Sequence, residues 1–181
     1  MRRHTRIFDG CRSVQIRSAF YSGAMKHVIL YTDGGCIKNP GPGGYGTVMI
    51  YGSHRKELSG GFRRTTNNRM EIYAAISGLE AIREPCQVTV YSDSQYLVNS
   101  MQKGWAKQWQ TNGWRRSNKE KAINPDLWER MLKLCEIHKV HFEWVRGHAG
   151  QIENERCDQL AGEAARGSHL GIDRGYEKDS P

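Results

Sequence analysis

Hydrophobic positions recur along this chain with two periods, and the changes between them mark out the elements. Val28-Ile29-Leu30-Tyr31-Thr32 is a short apolar, β-prone run that ends at Asp33. The Gly- and Pro-dense stretch GGCIKNPGPGGYG turns the chain into a second strand over about residues 43–52. Glu57 to Arg63 fits a third strand, with Gly60-Gly61 as a bulge or bend. Helical periodicity starts near Asn68: Ile72, Ala75, Ile76, Leu79 and Ile82 share one stripe. Gln87 to Ser92 alternates Val88 with Val90 and stops at Asp93. Residues 94–101 and about 105–112 read as helical, and a longer helix runs from about Pro125 to His138. Val140, Phe142 and Trp144 alternate as a fifth strand, and residues 153–166 close the domain as a helix. The resulting order, βββ-α-β-α-β-α, predicts an α/β domain: an antiparallel meander plus parallel strands in one five-stranded mixed sheet, covered by helices. No internal repeat is visible.

The two ends stand apart from this pattern. Residues 1–25 hold basic, aperiodic sequence; MRRHTRIFDGCRSVQIRSAFYSGA has five Arg and one acid. Three readings compete: a disordered basic arm with nonspecific affinity for nucleic acid, an organelle-targeting peptide, or a start site misplaced upstream of Met25. The third is preferred, because Met25 directly precedes the first good strand. Residues 26–166 form the folded domain, and the polar tail 167–181 is expected to be loose.

Composition narrows the class. With 181 residues, 38% hydrophobic and 25% charged, this is one domain with enough chain for a real core. A net charge of +8 and a pI of about 9.4 favour a polyanionic partner, nucleic acid before a membrane surface. The five cysteines form no CxxC pair, which argues against a disulfide framework or a zinc site and fits a reducing cytosol, hence a cytoplasmic protein. No apolar run approaches the ~18 residues of a membrane span, and no secretory h-region is present.

Four carboxylates stand out. Asp33 and Asp93 sit where apolar strands end, where mixed sheets tend to bind ligands. Glu71 falls at the edge of a buried helix stripe, and Asp158 is placed likewise beside Cys157 and Ala161. Taken singly, each is more readily a turn, cap or surface residue. Together they would repel unless cations intervene, and oxygen ligands without Cys or a His cluster suit Mg²⁺ or Mn²⁺. Two such ions ~3.5–4 Å apart can activate water and stabilise the leaving oxygen of a phosphodiester. His148 lies in Arg146-Gly147-His148-Ala149-Gly150, a sequence suited to a mobile proton carrier or an aid to product release, though taken alone such a residue is more often an ordinary surface histidine. From Gln102 to Ala122 there are six basic residues and one acid, interleaved with Trp105, Trp109 and Trp114. That pattern fits a groove tracking a sugar–phosphate strand, and also a Trp-anchored helix with a solvated basic face.

From about Lys26 to Ala165 the chain resembles bacterial-type ribonuclease H, type 1. The matching stretches are YTDGG, NPGPGGYG, RTTNNRMEIYAA, YSDSQY, the basic Trp segment, DLW and WVRGHAGQIENERCDQLA. The resemblance implies a ribonuclease H-like fold and an endonuclease that hydrolyses the RNA strand of RNA–DNA hybrids, leaving 5′-phosphate and 3′-hydroxyl ends. It implies metal ligands at Asp33, Glu71, Asp93 and Asp158 for two Mg²⁺ per site with substrate, Mn²⁺ being an alternative, and a catalytic role for His148. It implies RNA contacts, 2′-OH recognition included, from Asn39, Asn67 and Gln95. A pocket for a DNA phosphate would lie near Arg64, Thr66 and Asn124, and Trp105 and Trp109 would line the DNA channel of a basic protrusion. A monomer with no membrane partner is expected. The chain departs from the family pattern at Gly35, at Gln151-Ile152 after the loop glycine, by one extra residue before Trp105, and in its N-terminal extension and tail, which are read as lacking counterparts.

Two other classes stay open: a noncatalytic hybrid-binding module, and the nuclease portion of a reverse transcriptase or integrating element. The chain is too short to contain a polymerase.

Overall fold

The computed structural model describes residues 25–147 and 149–178. The N-terminal extension and His148 therefore lie outside the described residues.

Strands β1 (His27–Cys36), β2 (Gly41–Tyr51), β3 (His54–Thr65), β4 (Gln87–Ser92) and β5 (Lys139–Trp144) form one sheet in the order β3-β2-β1-β4-β5. The first three are antiparallel neighbours; β4 pairs parallel to β1, and β5 parallel to β4. This is the mixed five-stranded sheet that the patterning predicts. Alternation does the sorting, since successive side chains of a strand face opposite ways. Val28 and Leu30 of β1 join Val88 and Val90 of β4 in the main core, whereas Tyr31 packs on the other face beside Val48, Cys157 and Leu160.

Helices α1 (Asn67–Glu80), α2 (Gln95–Gln102), α3 (Trp105–Thr111) and α4 (Pro125–Ile137) contribute to the main core, and α5 (Ile152–Ala165) covers the opposite face of the meander. Thr66 caps α1, its side chain accepting from Arg69 N. Ile72, Ala75, Ile76 and Leu79 are fully buried along the stripe expected of them. Each large aliphatic among these contributes about 1.5–3 kcal/mol by leaving water. Among the described residues, no helix is long and apolar enough to cross a membrane.

Three expectations change. β1 does not end at Asp33 but runs on to Cys36, because β2 keeps pairing with it through Cys36↔Gly43. Gly60 and Gly61 hold regular pairs with Tyr45 and Gly44, and the register shift lies instead between Gly41 and Gly43. Gly61 is small for a packing reason: a Cβ there would come within 2.6 Å of the Ala164 carbonyl oxygen of α5. Finally, the tail is not loose as far as Lys178. Gly171 bridges to Phe62 on edge strand β3, and α6 (Arg174–Glu177) follows.

Candidate active site

The parallel register of β1 and β4 creates the centre. Their ladder ends at Thr32↔Ser92, so the next residue on each strand, Asp33 and Asp93, emerges at the same edge of the sheet. Glu71 arrives from the first turns of α1. It can come close because Gly34 lacks a side chain; a Cβ there would lie 2.3 Å from the Met70 carbonyl carbon and 2.5 Å from Glu71 N. Carboxylate oxygens of Asp33, Glu71 and Asp93 lie within 4.8 Å of one another.

Fixed contacts hold these groups. Gly34 N donates to Asp33 Oδ1 at 2.7 Å. The indole Nε1 of Trp144 donates to the backbone carbonyl of Asp93 at 3.0 Å. Gly147 leaves room for the Asp93 carboxylate, which would lie 2.4 Å from a Cβ at that position. Glu71 is the most stressed member. Burial, then the charges of Asp33 and Asp93, push its carboxyl well above the ordinary value of 4.5, against a hydrogen bond from the Gly34 backbone. Its Oε2 is buried without a hydrogen-bond partner among the described residues. Unit charges about 4 Å apart repel by about 4 kcal/mol at an effective dielectric of 20. A stranded buried oxygen beside two further carboxylates is the condition a divalent cation relieves. The donors are hard oxygens; the four described cysteines are free thiols, and burial pushes Cys157 up to about 12 and Cys36 to about 11. The set therefore fits Mg²⁺ or Mn²⁺.

Asp158 does not join the three. It is exposed on α5 and lines a groove with Asp33, Gly34 to Ile37, Gly162 and Arg166, so it flanks the cluster from the other face of the sheet. Its carboxylate is not among the oxygens that lie within 4.8 Å of one another.

Asn67 Oδ1 accepts from Cys36 N at 2.8 Å, and Asn39 Oδ1 accepts from Asn67 N at 3.3 Å, so two exposed amides are braced beside the end of β1. Gln95 is exposed at the start of α2 and shares a polar hollow with Asn99, Gln102 and Trp144. Thr66 and Asn124 line a second pocket with Arg69, Lys121, Gly175 and Tyr176, and the Arg64 guanidinium lies 6.0 Å from the Tyr176 ring. The six basic residues of the Trp segment are all exposed. Trp105 is 38% exposed, with the Lys103 ammonium 5.0 Å from its ring. Trp109 is corrected: only 8% exposed and edge-on to Trp128 at 6.0 Å, it anchors α3 in the core and offers no face to a strand.

Reading the sequence missed Trp144 as a support of Asp93. Alternation places it with Phe142 facing inward, but at the last pair of β5, opposite Ser92, it is 46% exposed. The ion pairing of Arg69 with Asp126 and Asp173 was also missed. An Arg and an Asp far apart in sequence leave no periodic signal.

Known proteins share this architecture. The RNase H family model matches residues 25–166. A ribonuclease H of Syntrophus aciditrophicus is 66% identical over 151 residues, 83% of this chain and 87% of that protein. A ribonuclease HI of Synechocystis is 59% identical over 152 residues, 83% of this chain and 95% of that one. Among solved structures, LC9-RNase H1, described as a type 1 RNase H with the type 2 active-site motif, superposes with a TM-score of 0.72 at 32% identity, over 86% of this chain and 81% of that one. LC11-RNase H1, solved in complex with an RNA/DNA hybrid, gives a TM-score of 0.56 at 28% identity, over 76% of this chain and 96% of that one. With a carboxylate cluster at the β1–β4 edge and relatives of this closeness over nearly their whole length, the chain belongs to the ribonuclease H family and is a ribonuclease H of the bacterial type 1 kind.

Proposed function

We propose that this enzyme hydrolyses the RNA strand of RNA–DNA hybrids by a two-metal-ion mechanism, leaving 5′-phosphate and 3′-hydroxyl ends. The observation that carries the reading is the three-carboxylate cluster with the stranded Glu71 oxygen. Asp33, Glu71 and Asp93 would hold the ions, with Asp158 contributing from α5. Bound there, a pair of Mg²⁺ or Mn²⁺ supplies a more acidic water and neutralises charge on the phosphodiester.

The protein's own contribution is placement. Gly34 N and Trp144 Nε1 fix two of the carboxylate-bearing residues before substrate arrives. Asn39, Asn67 and Gln95 present amides at the strand ends beside the cluster, suited to ribose 2′-hydroxyls that DNA lacks. Thr66 and Asn124, which line one pocket with Tyr176, and Arg64, 6.0 Å from the Tyr176 ring, are assigned to a phosphate of the DNA strand. Trp105 and the six exposed basic residues track the same strand, a role that Trp109 supports only by anchoring α3. His148, between Gly147 and Ala149, is assigned the transfer of a proton or assistance to product release, on the strength of its sequence setting and the resemblance. We take the enzyme to act as a cytoplasmic monomer; the free thiols fit a reducing compartment.

The test is cleavage, with Mg²⁺, of a hybrid, a DNA duplex and an RNA duplex of one sequence, followed by analysis of the ends. Cleavage of the hybrid's RNA strand alone, with 5′-phosphate products, is expected. Equal cleavage of duplex RNA, or binding without cleavage of any substrate, would overturn the reading.

A further inference from the structure

The segment after α5 lies beyond the stretch matched by the family model, and its polar sequence gives little sign of order. Yet it is fastened along its length. Gly171 exchanges two backbone hydrogen bonds with β3: Arg63 N donates to Gly171 O at 3.0 Å, and Gly171 N to Gly61 O at 2.9 Å. Asp173, fully buried, accepts from Arg69 Nε at 2.6 Å, Arg69 Nη2 at 2.7 Å and Thr65 Oγ1 at 2.6 Å. Arg69 is 2% exposed, so this is a desolvated, bidentate pair of the stronger kind. Glu177 grips Arg63 from the end of α6 with contacts of 2.9 and 2.5 Å.

These fastenings put one aromatic side chain at one place. Tyr176 lines the pocket with Thr66, Arg69, Lys121, Asn124 and Asp126, and the Arg64 guanidinium lies 6.0 Å from the centre of its ring. Arg64 is exposed on β3, next to Thr65, whose hydroxyl the same strap engages. A free arginine samples many rotamers; drawn towards a ring whose segment is itself held by a buried ion pair, it samples fewer and keeps its donors beside the pocket.

We propose that Tyr176 is a positioning residue for the substrate phosphate: carried by the strap of residues 168–178, it holds Arg64 beside the pocket and so sets affinity for the DNA strand of the hybrid. The proposal rests on the assignment of that pocket to a DNA phosphate. Because Tyr176 acts through Arg64 and not on the carboxylates, its effect belongs in substrate affinity and not in turnover.

The test uses the full chain and four variants: Tyr176→Phe, Tyr176→Leu, Arg64→Ala and the double variant Arg64→Ala/Tyr176→Leu. For each, kcat and KM are measured on an RNA–DNA hybrid with Mg²⁺, Kd for the hybrid in EDTA, and the melting temperature. Arg64→Ala is expected to raise KM and Kd by about tenfold, as for loss of a charged hydrogen bond. Tyr176→Leu is expected to raise both by about two- to fivefold with kcat unchanged, and Tyr176→Phe, which keeps the ring, to stay nearer the parent than Tyr176→Leu does. In the Arg64→Ala background the Leu change is expected to add nothing. If Arg64→Ala weakens binding while Tyr176→Leu does not, or the two effects multiply independently, the positioning role is overturned and the pocket assignment stands. If Arg64→Ala leaves KM and Kd unchanged, the pocket assignment fails and takes the proposal with it. Should Tyr176→Leu melt below the assay temperature, Tyr176→Gln replaces it, with the same outcomes deciding.

Discussion

At Glu71 burial and neighbouring charge push the same way, and that combination makes a testable statement about folding as well as catalysis. A carboxyl whose value is raised in the folded state favours folding while protonated. That contribution is present below the ordinary 4.5 and is lost as pH climbs through the raised value. The metal-free protein is therefore expected to lose stability on going from pH 5 to pH 8. Glu71→Gln should remove that loss while abolishing cleavage; melting in EDTA at the two pH values checks it. An equal pH dependence in parent and variant would contradict the assignment of strain to Glu71. Trp144 acts differently, through one hydrogen bond to the Asp93 carbonyl. A bond of that kind contributes about 1 kcal/mol, so Trp144→Phe is expected to lower kcat about fivefold while hybrid binding in EDTA holds steady. The carboxylates were legible because they interrupt apolar strands and helix stripes. Trp144 was not, because alternation reports which face a strand residue takes and not that it sits at the strand's last pair, where the cover of that face ends.

The elements themselves were largely written in periodicity. The stripe of α1 and the alternation of β4 come from burial on one side, which repeats in sequence. The strap did not show, since its order comes from Asp173 meeting Arg69 across the fold. Trp109 misled for a related reason: a Trp among Lys and Arg looks the same in sequence whether its ring faces a strand or Trp128. The Arg69 node predicts a large effect. Asp173→Ala leaves a 2% exposed guanidinium short of one partner, and breaking such a buried pair costs about 3–5 kcal/mol, readable in urea unfolding at neutral pH. Acid should act on the same face. Burial alone would raise Asp126, but the Arg69 hydrogen bonds and charge outweigh it and hold the carboxyl below its ordinary 3.8. Hydrogen bonds from Arg156 and then Arg55 hold Glu57 down to about 2. For depressed carboxyls the contribution is present above the ordinary value and lost as pH falls through the folded one. The melting temperature is therefore expected to fall between about pH 4.5 and pH 2, and less steeply in Asp126→Asn.

Over the whole molecule, the excess of +8 is not spread evenly: six exposed basic side chains lie between Gln102 and Ala122, in and around α3. Their contribution to hybrid binding should appear in salt dependence. Replacing Lys103, Lys107 and Arg115 by Gln is expected to raise Kd and reduce the slope of log Kd against log salt by about one per charge engaged. An unchanged slope would leave the segment a solvated face and nothing more. At the β1–β4 edge, Asp33 sits at the middle of the sheet beside both Glu71 and Asp93. The most direct measurement is cleavage of an RNA–DNA hybrid by Asp33→Asn in Mg²⁺, with hybrid binding measured alongside. Loss of turnover with binding retained is expected; cleavage at the parent rate would contradict the account.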